Sequence, residues 1–367
     1  MARFPTTDIM SLIGATPLYD LAESIGPDLH LRDVLGSEDI ALGYGAAVGN
    51  DRLRTLIARH HRVDPDDVVV TVGGMHALFL LAFLLCERGD HAVATAPLFP
   101  LARSVLQAVG AEIATVKLDF ARRYQPDMDA VRRALSERTK LVSLASPQNP
   151  SGTIIPTETI QAILDAMKKR CPQAYLLVDE TYREAVYGDH ATTQSVVSLD
   201  PRIVSISSLS KGHGAPGLRI GWAITRDPAL RAQLIVAKFS TVISCSAIDE
   251  ALAIRVLERD HSARHTHFAA GLARTQAWVA ANSHAVEWVR PDAGAICCVR
   301  LRPDMFDDAA VDRFYQNLET LGVRVANGTW FGDEARIFRL GFGMLPLPDL
   351  DAALVGVSAA LDMEFHA

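Results

Sequence analysis

Asn149, Asp179, Tyr182 and Lys211 stand in three short polar motifs, Ser146-Pro147-Gln148-Asn149-Pro150-Ser151-Gly152-Thr153, Asp179-Glu180-Thr181-Tyr182 and Ser208-Leu209-Ser210-Lys211. Each motif follows a short apolar run, and the steps are 30 residues from Asn149 to Asp179 and 32 from Asp179 to Lys211. A βαβ unit takes about 30 residues or more, so this spacing can return the chain to the same sheet edge each time. Ligands of open α/β sheets bind outside the carboxyl ends of the strands. An amide, a carboxylate, a phenol and an amine can therefore share one crevice. An amine works there as a nucleophile or base once burial and neighbouring positive charge depress its pKa. Gly73 and Gly74 end another strand and open an apolar helix, where backbone N–H groups and the helix dipole can meet an anion.

The elements that must position these groups are legible as apolar runs. Asp67–Val72, His91–Ala94, Lys140–Leu144, Tyr175–Val178, Ile203–Ile206 and Gly221–Ile224 read as buried strands. Met128–Ser136 and Thr157–Lys169 carry helical periodicity, and Ala77–Cys86 reads as a buried helix. Strands alternating with helices of this length indicate an α/β fold with a mostly parallel sheet flanked by helices. From about Asp260 the pattern changes to a long polar-faced helix and then mixed strand and helix, the mark of a smaller α+β domain.

Composition sets outer limits. The 367 residues, 49% hydrophobic and 22% charged, suit a globular protein with room for two domains. A net charge of −7 gives no general attraction to nucleic acid or anionic membrane. The longest apolar run, Ala77–Cys86, is about half of a bilayer span, and the N-terminus lacks the pattern of a secretory signal. Five scattered cysteines form no disulfide framework or metal motif, which is consistent with a cytoplasmic protein.

The ordered set of motifs resembles the class I/II aminotransferases, fold-type I enzymes dependent on pyridoxal 5'-phosphate (PLP). The resemblance runs from about Tyr44 to Phe342, and its most specific part is Ser208-x-Ser210-Lys211 followed eight residues later by Arg219. It implies a large PLP-binding domain over residues 40–260 and a small domain formed by 1–39 and 261–367. By the same resemblance Lys211 forms the Schiff base and shuttles the substrate proton. Asp179 pairs with the pyridine nitrogen. Asn149 and Tyr182 hydrogen-bond the phenolic oxygen. Gly73, Gly74, the Met75 amide, Ser208 and Arg219 hold the phosphate. Phe99 stacks on the ring. Arg339 binds the substrate α-carboxylate, and Asn149 also binds substrate. Tyr44 reaches the phosphate of a neighbouring subunit, which implies a homodimer.

The implied reaction is transamination between an amino acid and a 2-oxo acid. The same constellation serves a carbon–sulfur lyase or a cyclase, and Leu209–Trp222 and Arg339–Gly343 are also similar to capreomycidine synthase, which cyclises an arginine derivative. A PLP-binding sensor is a further possibility, disfavoured by the presence of Lys211, Asp179 and Arg339 together.

Taken singly, each residue has an ordinary reading: Lys211 a turn lysine, Asp179 a helix N-cap, Tyr182 a core tyrosine, Arg339 an ion-pair arginine and Tyr44 a turn residue. Leu12–Leu18 resembles the opening of cysteine-synthase-type PLP enzymes, but the first lysine of the chain is Lys117. His261 and His265 share a helical spacing with no other sign of a metal site. His213, two residues past Lys211, reads as a polar loop residue or as part of the pocket mouth.

Overall fold

The computed structural model describes residues 4–12, 14, 17–37, 39–188 and 195–365. Ile13, Ala15 and Thr16 of the Leu12–Leu18 stretch lie outside the described residues. The principal sheet has seven strands: β1 (Val68–Thr71), β2 (His91–Ala96), β3 (Glu112–Lys117), β4 (Thr139–Ala145), β5 (Tyr175–Asp179), β6 (Ile203–Ser208) and β7 (Gly221–Thr225). Their order is β1-β7-β6-β5-β4-β2-β3. Only β7 runs antiparallel to its neighbours, β1 and β6.

The apolar runs form this sheet because both of its faces are covered. β1, β6 and β7 are buried at every position, the signature of strands packed by helices on both sides. Alternate residues serve alternate cores. Val142, Leu144, Leu176, Val178, Ile203, Trp222 and Ile224 join one cluster. Leu141, Ala145, Leu177, Val204, Ile206 and Ala223 join the other. The second core also takes up the apolar face of α2 (Gly73–Leu85), which follows α1 (Asp51–His61). Asn50 caps α1 by accepting from the amides of Arg52 and Leu53.

A second, four-stranded antiparallel sheet contains β8 (Val286–Val289), β9 (Ile296–Leu301), β10 (Ala326–Asn327) and β11 (Ile337–Gly341) in the order β10-β11-β9-β8. The N-terminal segment spans the two sheets. Tyr19–Asp20 pairs in parallel with Val323–Arg324, and the Gly341 amide donates to Leu21 O at 2.7 Å. Farther along, the Leu29 amide donates to Gly214 O at 2.9 Å, and Val34 is buried in the core of the principal sheet. Residues 22–24 therefore pass over the carboxyl edge of that sheet.

Candidate active site

Strand register puts the motifs in one row. Ala145 is level with Asp179, Asp179 with Ile206, Ser208 with Gly221, and Gly221 with Thr71. The loops that leave this row enclose a cavity of about 220 Å³ lined by Gly74, Met75, Phe99, Asn149, Asp179, Tyr182, Ser208, Lys211 and Arg219, among others. Nine of the proposed residues thus share one cavity although they come from five separate stretches of the chain.

The cavity's polar groups are partly engaged. Lys211 Nζ donates to Ser24 Oγ at 2.9 Å. Burial, aided by the Arg339 guanidinium, brings the lysine amine down to about 8, against the opposing pull of Glu23 and Asp179. Asp179 Oδ1 accepts from the Thr181 amide at 2.9 Å and its hydroxyl at 2.5 Å. Burial raises the pKa of Asp179, while those two hydrogen bonds resist the rise. The Tyr182 hydroxyl is buried without a hydrogen-bond partner among the described residues, and burial raises its pKa.

Arg339 and Gly73 flank the cavity. Arg339 is only 1% exposed. Its Nη1 donates to Asn149 Oδ1 at 2.8 Å, its Nη2 to Ala22 O at 2.5 Å, and its guanidinium lies 4.7 Å from the centre of the Phe331 ring. Gly73 has φ +74°, and a Cβ there would strike the Arg219 guanidinium. A Cβ on Gly221 would strike the Gly73–Gly74 peptide. Small residues at both positions keep the start of α2 open, with its first amides free of intrahelical partners.

Two residues lie elsewhere. Tyr44 is 85% exposed and lines a separate surface hollow with Leu42, Val242, Ser244 and Ile248. His213 is buried behind the lysine loop, where its Nδ1 is 3.3 Å from His261 Nε2. His261 also lies 2.9 Å from the Val256 carbonyl, to which it donates. Ser24 and Ala22 touch Lys211 and Arg339, yet no sequence motif marks them. Their only signal is tertiary.

Comparison with known proteins identifies the group. The model of the family "aminotransferase class I and II" matches residues 22–354. The chain belongs to that family. It is 29% identical over 320 residues to capreomycidine synthase of Streptomyces vinaceus, covering 86% of this chain and 80% of that one. It is 27% identical over 308 residues to arginine–pyruvate transaminase AruH of Pseudomonas aeruginosa, covering 80% and 75%. Among solved structures, the PLP-dependent cyclase OrfR superposes with a TM-score of 0.84 at 24% identity over 99% of both chains. A PLP-dependent aminotransferase of Streptococcus suis gives 0.85 at 22% identity over 99% and 98%.

The protein is a PLP-dependent member of this family, and the cavity suits that cofactor. The open start of α2, the Ser208 hydroxyl and the Arg219 guanidinium suit a phosphate. Lys211 supplies an amine of depressed basicity, Asp179 a half-buried carboxyl, and Tyr182 a hydroxyl still lacking a partner.

Proposed function

We propose that the protein is a cytoplasmic, homodimeric aminotransferase that transfers the amine of an α-amino acid to a 2-oxo acid. The observation that carries this reading is the pairing of two groups at one cavity. Arg339 is a buried guanidinium held by Asn149 and Ala22 O, and Lys211 is an amine brought down to about 8.

In this reading PLP supplies the electron sink for the pair left when the substrate Cα loses its proton. Arg339 binds the α-carboxylate through its planar fork and so aims Cα at Lys211. Lys211 holds the cofactor covalently and, when released, carries the Cα proton on Nζ. Asp179 pairs with the ring nitrogen, and Asn149 and Tyr182 with the phenolic oxygen. Gly73, Gly74, the Met75 amide, Ser208 and Arg219 bind the phosphate, and Phe99 covers the ring and keeps water out. The likeness to arginine–pyruvate transaminase supports arginine as the amine donor and pyruvate as the acceptor.

The dimer is supported by an exposed apolar face. Leu42, Tyr44, Phe83, Val236 and Phe239 are each more than half exposed, and a second copy covering them would bring Tyr44 to the partner's pocket. The division into a large domain of residues 40–260 and a small domain of 1–39 with 261–367 is part of the same proposal. Among the described residues no helix is long and apolar enough to cross a membrane.

A cyclase is the second reading, favoured by the likeness to capreomycidine synthase over 86% of the chain. Both readings meet one experiment. Holoenzyme is mixed with L-arginine or other amino donors, and then with pyruvate or 2-oxoglutarate. Transamination predicts a 2-oxo acid product and the cofactor left in its amine form until an acceptor is added. A cyclised product with no 2-oxo acid selects the cyclase, and ammonia plus pyruvate without an acceptor selects a lyase.

A further inference from the structure

We propose that Ser24 is a positioning residue for Lys211: its hydroxyl holds the free amine toward the Arg339 end of the site and steadies the ammonium formed there. The proposal rests on the reading that Arg339 takes the α-carboxylate and Lys211 carries the Cα proton. Lys211 Nζ donates to Ser24 Oγ at 2.9 Å, and among the described residues it donates to no other group. Asp179, which lines the same cavity, turns Oδ1 to Thr181 instead. The place of Ser24 is fixed on both sides along the chain. Before it, Asp20 Oδ1 accepts from the Ala22 amide at 2.9 Å, Leu21 O from the Gly341 amide at 2.7 Å, and Ala22 O from Arg339 at 2.5 Å. After it, a Cβ on Gly343 would come within 3.1 Å of Ile25 O, and the Leu29 amide donates to Gly214 O, close behind Lys211 in the chain. Ser24 itself is 6% exposed. A hydroxyl on so pinned a backbone is aimed before any substrate arrives.

The same short segment therefore serves both ends of the reaction. Ala22 and Ser24 are two residues apart, a span of no more than about 7 Å. One holds the guanidinium and the other the amine. A carboxylate on Arg339 leaves the substrate Cα one bond away, so Ser24 draws Nζ to the end where the proton is lost. As a neutral amine, Nζ puts one N–H into Ser24 Oγ and keeps its lone pair for that proton. When the Cα–H bond breaks, the electron pair stays with carbon and passes to the cofactor, and the proton forms a third N–H bond on Nζ. The hydrogen bond to Oγ is then charge-assisted and stronger than the neutral one. Ser24 thus favours the protonated amine, as Glu23 and Asp179 do, against burial and the guanidiniums of Arg339 and Arg219.

The test reads the amine directly and then the proton transfer. The full-length chain freed of cofactor captures PLP at a rate that follows the neutral amine, with a midpoint near 8 in the native protein. Ser24→Ala removes the acceptor, so the midpoint should fall by about one pH unit. Ser24→Thr keeps a hydroxyl and should return it to the native value. In the holoenzyme, a single turnover with L-arginine should slow about tenfold in Ser24→Ala, with substrate affinity within about twofold of native. A weaker, less well aimed base should also enlarge the isotope effect of α-deuterated arginine. An unmoved or raised midpoint in Ser24→Ala, or an unslowed turnover, overturns the proposal. So do equal effects in the Ala and Thr variants, which would mark sensitivity to packing rather than to the hydroxyl. If the midpoint falls as expected but no amino donor yields a 2-oxo acid, Ser24 keeps its hold on Lys211 and the aminotransferase reading falls. If amine transfer proceeds and Ser24→Ala matches the native enzyme, that reading stands and the role of Ser24 falls.

Discussion

Two polar clusters lie on either side of the lysine loop, and they differ in whether their groups face a cavity. Behind the loop, Glu180 accepts from Ser195 Oγ at 2.7 Å, Ser205 Oγ at 2.5 Å and the Val196 amide at 3.1 Å. Trp222 Nε1 donates to His61 Nε2 at 3.1 Å, which leaves the neutral ring's proton on Nδ1, 3.5 Å from Glu180. Burial brings His213 down to about 3. Burial opposes ionisation of Glu184, yet His60, whose Nδ1 lies 3.8 Å away, and the Arg183 guanidinium at 3.0 Å bring it down to about 2. In front of the loop Lys211 falls only to about 8, yet Tyr182 lacks a partner and the groups face a cavity. Size of shift therefore does not mark the site in this protein. What marks it is a depressed amine and an orphaned hydroxyl at a space large enough for a ligand.

Lys211→Ala should break this contrast most severely. It removes the covalent anchor and the base together, so amine transfer should fall by about 10⁴-fold, the upper end of what a positioned base contributes. Borohydride reduction followed by mass spectrometry should find the cofactor on Lys211 in the native protein and on no residue in the variant. The pH dependence has a definite sign. The cofactor-free protein captures PLP through the neutral amine, so the capture rate should rise with pH and reach half its maximum near 8, the folded value. A midpoint near the unfolded value of 10.5 would mean that burial does not act on this amine. Between those two values the unfolded chain holds a proton that the folded chain has lost, so the stability of the cofactor-free protein should increase with pH across that window.

Arg339→Lys should come next. The fork to the carboxylate is lost while the charge remains, and kcat/KM for the amino donor should drop by about 10²-fold, most of it in KM. Steady-state kinetics with arginine checks this, and an unchanged KM would remove Arg339 from the binding role. The rear cluster should respond differently. Glu180→Ala strands three donors and should lower unfolding free energy by about 2–3 kcal/mol, read by denaturant titration, while the folded enzyme keeps its kcat within threefold. His213→Asn should be the mildest change, about 1 kcal/mol with kcat within twofold. A tenfold loss of kcat in His213→Asn with no loss of stability would merge the two clusters into one functional site.

The strands that carry the motifs were legible because burial on both faces makes them continuous apolar runs. β3 was not read, because Glu112 and Lys117 at its ends are exposed and only Val116 is buried. It is an edge strand, and an edge needs no apolar run. The apolar helix begins at Gly73, as the glycine pair at its start announces, and the close approach of Arg219 and Gly221 is the tertiary reason that both positions are glycine. Lys211, Asp179, Asn149 and Tyr182 were legible as candidates from spacing alone. His213 was not separable from them, because sequence distance from Lys211 does not say on which side of the loop a ring will pack.

Sequence by itself determined the parallel sheet, the three motifs at its carboxyl edge and their resemblance to a PLP-dependent family, since each is a local pattern of residue type and interval. Tertiary structure decided the rest. Ser24 meets Lys211 across 187 residues, and Ala22 meets Arg339 across 317. No local preference encodes such contacts. They exist because the N-terminal segment is tied to the small sheet at one end and to the large sheet at the other, which brings Ala22 O to Arg339 and Ser24 to Lys211.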